Sequence, residues 1–117
     1  MARHDDAIRL QHMLDYAREA VTLSQGRTRA DLDSDRLFNL AMTRLIEIIG
    51  ESAARLSEAT RQASPHFPWS QVIAVRNRLI HGYDQINLDI LWDIIDLDLR
   101  PLIMELEQIV GADDASA

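Results

Sequence analysis

An arginine and a histidine five positions apart, Arg76 and His81, are the residues of this chain whose types and spacing best suit phosphate chemistry, and Tyr83 follows two positions on. They lie in the segment Arg76-Asn77-Arg78-Leu79-Ile80-His81-Gly82-Tyr83. A guanidinium presents a fork of donors that matches phosphate oxygens. An imidazole gives and takes protons near neutral pH. One group to hold a phosphate and one to move protons suffice, with no metal needed in principle, for attack of a ribose 2′-hydroxyl on its neighbouring phosphodiester.

The segment must be positioned by a helix that begins near Trp69. At the 3.6 period, Trp69, Val72, Ile73, Leu79, Ile80 and Tyr83 fall within an arc of about 100°, and Arg76 projects from its middle. A buried unpaired charge costs several kcal/mol, so Arg76 calls for an acidic partner, with Glu47 or Glu51 available, or for a cleft that receives anions. Gly82 is expected to close the helix, which makes His81 its last helical residue, in the negative end of the macrodipole. If the chain turns there, Tyr83 swings away and Arg76, His81 and Tyr83 can line one cleft. Arg78 points roughly opposite to Arg76, toward solvent. The plainer readings are a structural ion pair at Arg76, a capping donor at His81 and a buried-edge aromatic at Tyr83.

Length and composition bound the rest. The chain has 117 residues, 47% of them hydrophobic, which is one domain with an ordinary core. Cysteine is absent, which removes disulfide frameworks and thiol chemistry and fits a reducing cytoplasm. No apolar run reaches the length of about 18 residues that spans a membrane, and Met-Ala-Arg-His-Asp-Asp lacks a signal-peptide core, so a soluble cytoplasmic protein is expected. His4, His12 and His66 show no ligand spacing, and no metal or cofactor is assigned.

A net charge of −7 argues at first against nucleic acid. The distribution of the charge weakens that argument: residues 84–117 carry nine acids and one base, residues 1–83 ten acids and eleven bases. Asp89, Asp93 and Asp96, followed by Arg100, read as the solvated face of a helix.

The periodicity predicts helices throughout. The first runs from Asp5 to about Ser24 on the stripe Leu10, Met13, Leu14, Ala17, Ala20 and Val21, and residues 27–33 read as a loop. Asp33 or Ser34 is a candidate cap for a second helix from about Asp35 to Arg61. Its stretch Leu37 to Ile49 is apolar on more than one face, which suggests a dimer interface. Gly50 suits a close helix crossing. Ser64-Pro65-His66-Phe67-Pro68 is a loop, because each proline removes a donor and disfavours helix before it. The last helix is capped by Asn87 and runs to about Val110, kinked or divided at Pro101. The predicted fold is all-α, an up-down bundle of four to five helices that dimerises through helix faces. One domain spans residues 1–110, with a flexible acidic tail at 111–117.

The ordered set Ile49-Gly50-Glu51-Ser52-Ala53-Ala54-Arg55-Leu56, Pro68-Trp69, Arg76-x4-His81-x-Tyr83 and the segment Leu88 to Pro101 resembles the HepT-like branch of the HEPN domains, over roughly residues 37–110. The resemblance implies a helical homodimer that brings two motifs to one cleft, with higher assembly left open. It also implies a toxin of a type II/VII-like toxin–antitoxin system, a metal-independent endoribonuclease acting on tRNA or mRNA. The implied partner is a minimal nucleotidyltransferase, MNT, serving as antitoxin. Carried over by position, Arg76 and His81 match the catalytic pair, Asn77 the polar position after the arginine, and Tyr83 the tyrosine that the partner modifies with AMP. The alternatives are a non-catalytic helical binding subunit of a nucleotidyltransferase complex, or a structural dimer with Arg76 in an interface ion pair.

Overall fold

The chain is described from a computed structural model, which covers the backbone of residues 4–81 and 85–116 and the side chains of 4–80 and 85–112. In chain order the elements are α1 (His4–Ser24), α2 (Asp31–Ser34), α3 (Arg36–Ala54), α4 (Glu58–Gln62), α5 (Trp69–Ile73), α6 (Val75–Leu79), β1 (Ile80–His81), β2 (Gln85–Ile86), α7 (Leu88–Asp93), a π-helical turn (Ile94–Asp98) and α8 (Leu99–Ser116). The all-α bundle expected from the periodicity is what forms. A two-residue antiparallel ladder, Ile80 opposite Ile86 and His81 opposite Gln85, is its only sheet among the described residues.

The core lies among the three long helices. From α1 come Leu10, Met13, Leu14, Ala17 and Ala20, from α3 Phe38, Met42, Leu45, Ile46, Ile49 and Ala53, and from α8 Leu99 and Leu106. Their spacing of three and four residues keeps each set on one helical stripe, which is why these segments fold as amphipathic helices against one another. No helix among the described residues is long and apolar enough to cross a membrane. Leu37 and Leu40 stand 80% and 49% exposed, so the second apolar face expected on α3 exists at its first turns.

Several boundaries differ from expectation, each for a local reason. Residues 27–33 are not all loop, since Asp31 opens the single turn α2. The cap of α3 is Asp35 rather than Asp33 or Ser34: its carboxylate accepts from the Phe38 N–H at 3.1 Å. The second helix stops at Ala54 instead of running to Arg61. A new cap forms at Ser57, because the buried Asp6 of α1 accepts from both the N–H and the hydroxyl of Ser57 and from the hydroxyl of Thr60, the two hydroxyl bonds at 2.6 Å. That long-range anchor turns the chain.

Asn87 caps α7 as expected, accepting from the N–H groups of Asp89 and Ile90 at 3.1 Å. Pro101 does not divide the last helix, which continues to Ser116, past the end expected near Val110. The irregular turn sits just upstream. There the Leu99 N–H bonds to Ile94, five residues back, in a widened turn directly before a proline that lacks a donor and crowds the carbonyl four residues behind it.

Candidate functional site

The helix that opens at Trp69 is broken at Ala74, whose ψ is near zero (φ −79, ψ 2). An uninterrupted helix needs ψ near −42°, so the break resets the phase of every residue after it. α5 is anchored by the Trp69 indole, which donates to the Ser64 carbonyl at 3.0 Å and packs its ring 4.1 Å from that of Phe67. α6 then faces the core with Val75 and Leu79, one turn apart, both buried. Over its described part, Trp69 to Ile80, the single apolar stripe expected is therefore not formed. Ile80 is 43% exposed, and Arg76 points outward instead of into the core.

Arg76 is 66% exposed, and its Nε lies 3.8 Å from an Oε of Glu47 on α3. Of the two acids available to it, Glu47 is thus the partner, while Glu51 faces Arg44 at 3.3 Å. The contact is at the outer limit of an ion pair. Pairs of this kind contribute about 0–1 kcal/mol, so an incoming anion can compete with the carboxylate for the guanidinium. Asn77 beside it is exposed.

α6 ends at Leu79, not at Gly82, and Ile80 takes up extended geometry (φ −72, ψ 124). His81 is consequently not the last helical residue but the second residue of β1, paired with Gln85. The physical reason is the partner offered to the helix end: the Asn87 N–H donates to the Leu79 carbonyl at 2.6 Å, and the Ile80–Ile86 ladder continues from there. The side chain of His81, and Gly82 and Tyr83 altogether, and with them the expected convergence of Arg76, His81 and Tyr83, lie outside the described residues.

Arg78 is exposed, as expected, but it also borders a cavity of ≈ 300 Å³ between α3, the α5–α6 segment and α8. Ile49, Phe67, Val72, Leu99 and Leu102 are among its walls, with Asp98 and Glu105 as its acids; Arg76 does not line it. Among the described residues no three His, Asp or Glu side chains converge as metal ligands would.

Gly50 holds the arginine's surroundings in place. A Cβ there would lie 2.7 Å from Cγ1 of Val75 and 2.9 Å from the Val72 carbonyl, so the expected close crossing is the contact of α3 with the α5–α6 segment. The buried Asp6, which ties α1 to the cap of α4, has no counterpart among the residues that sequence pattern brings forward; a carboxylate two residues after a histidine carries no periodic signal of burial.

Comparison with known proteins places the sequence in a family. The profile of the family described as "Ribonuclease HepT-like" matches residues 13–109. A protein of Methanocaldococcus jannaschii named as a candidate RNase is 27% identical over 107 residues, covering 92% of this chain and 98% of its own. A similarly named protein of Caldanaerobacter subterraneus is 28% identical, covering 86% and 90%. One of Thermococcus cleftensis, named "Probable ribonuclease HepT", is 28% identical, covering 78% and 86%. No solved structure matches the chain at a significant level. With most of its length matched by the profile, this chain belongs to the ribonuclease HepT-like family.

Proposed function

We propose that the chain is a metal-independent endoribonuclease and the toxin of a cytoplasmic toxin–antitoxin pair, with Arg76 and His81 as its catalytic residues. The observation that carries this reading is the exposed guanidinium of Arg76, loosely held 3.8 Å from Glu47, in a motif whose family consists of HepT-like ribonucleases. In the proposed reaction a histidine takes the proton of a ribose 2′-hydroxyl and the freed oxygen bonds to the adjacent phosphorus. The bond from phosphorus to the 5′-oxygen breaks, and a second histidine protonates that leaving oxygen. Arg76 binds the non-bridging oxygens and stabilises their developing charge. The two histidines are His81 from each protomer of a dimer, with Asn77 supporting the site. The exposed Leu37 and Leu40 are candidate dimer contacts. Products are a 2′,3′-cyclic phosphate and a 5′-hydroxyl, from tRNA or mRNA.

Purified protein should cut RNA in the presence of a chelator, and His81→Ala and Arg76→Ala should abolish cutting. Equal activity in the His81→Ala variant, or loss of activity on chelation, overturns the mechanism. Control is exerted by a minimal nucleotidyltransferase that transfers AMP to Tyr83, placing phosphate charge where RNA phosphate must bind. Mass spectrometry after co-expression should find the added AMP on Tyr83; adenylylation confined to another residue sinks this part.

A further inference from the structure

A second polar pocket, of ≈ 250 Å³, opens between the start of α1 and the end of α3, walled by Asp5, Ile8, Arg9, His12, Ser52 and Arg55. Two guanidinium groups, an imidazole and a hydroxyl meet there against the carboxylate of Asp5. Arg9 is held in place: its Nη1 donates to the Arg55 carbonyl at 3.3 Å and lies 3.7 Å from Asp6. The Asp6 carboxylate is itself buried and bonded to Ser57 and Thr60. Arg55 is exposed and, like Arg36, Arg61, Arg78 and Arg100, makes no ion pair among the described residues, but of these five it alone lines this pocket.

We propose that this pocket binds a backbone phosphate of the RNA away from the bond that is cut, with Arg9 and Arg55 as its positioning residues. The inference rests on the ribonuclease reading above. Arg55 directly follows the helix that carries Glu47, the partner of Arg76. The separation is eight residues, or about 12 Å along the axis, and Glu47, Glu51 and Arg55 fall within an arc of about 80°. The intervening Glu51 is offset by Arg44. A single strand lying along α3 therefore meets a cation at each end of that track. For a chain of net charge −7, local arginine clusters are what can hold a polyanion. Guanidinium forks suit phosphate oxygens better than point charges do, and contacts of this kind fix register without reading sequence.

The test measures the affinity of the intact protein for a labelled single-stranded RNA oligonucleotide across a series of salt concentrations, together with cleavage kinetics. Arg55→Ala should weaken binding several-fold and lower the slope of log K against log salt by about 0.7, the value for one phosphate contact on a single strand. It should raise KM with little change in kcat, and Arg55→Lys should restore much of the slope. Arg100→Ala, which removes the same charge from an exposed site on α8, should leave the slope as in wild type. Circular dichroism confirms that each variant is folded. A wild-type protein that neither binds nor cuts RNA overturns the ribonuclease reading and this inference with it. A wild type that does both, alongside an Arg55→Ala variant of unchanged slope and KM, overturns the inference alone.

Discussion

Gly50 and Val75 meet where α3 crosses the start of α6, so closely that a Cβ on Gly50 would stand 2.7 Å from the Val75 Cγ1. The next atom in the way is a backbone carbonyl, that of Val72 at 2.9 Å, which cannot rotate aside. Gly50→Ala should therefore destabilise the fold by about 1–3 kcal/mol of overpacking, reduced by up to about 1 kcal/mol of helix propensity. Urea unfolding checks this. Because the displaced segment carries Arg76, RNA cleavage should fall further than stability alone explains.

Glu47 restrains Arg76 weakly, across 3.8 Å and with the guanidinium mostly in solvent. Glu47→Gln should change stability by less than about 1 kcal/mol. By removing the competing carboxylate it should tighten RNA binding, read by fluorescence anisotropy. A loss of affinity would mean that Glu47 positions the arginine productively.

Asp6 joins α1 to the cap of α4 through three donors on Ser57 and Thr60. Asp6→Ala strands those donors and should cost about 1–3 kcal/mol, measured by urea unfolding. Limited proteolysis should cut first near Ser57 in the variant.

Asp35 receives an Arg27 guanidinium bond at 2.6 Å, which is the main reason its carboxyl sits below the usual aspartate range; the Phe38 N–H adds to it. A depressed carboxyl stabilises the fold above the unfolded-state value of about 3.9 and loses that contribution as the pH falls through the folded one. Asparagine caps helices equally well, so Asp35→Asn isolates the charge. Its thermal midpoint should lie below that of wild type at neutral pH. The gap should close in acid, and a gap that persists there would assign the effect to the cap geometry instead.

Elements with a local cause were legible in the amino-acid sequence. Period and burial agree along α1, the prolines of the Ser64–Pro68 loop stop the helix before them, and Asn87 caps α7 with its own side chain. The ordered motif likewise sufficed to reach the family. Partners far along the chain, which only the folded molecule brings together, decided the rest. Asp6 ends the second helix by capturing Ser57, and Asn87 ends α6 by bonding to Leu79, which puts His81 in a strand rather than at a helix terminus. The break at Ala74 turned Arg76 from an apparent core charge into an exposed one. A helical wheel assumes one phase from end to end, and a single residue with ψ near zero is enough to rotate everything after it. The sequence offered both Glu47 and Glu51 to Arg76, and the fold chose Glu47, 29 positions away; the meeting of Arg9 with Arg55, 46 positions apart, is one that no local spacing could have announced.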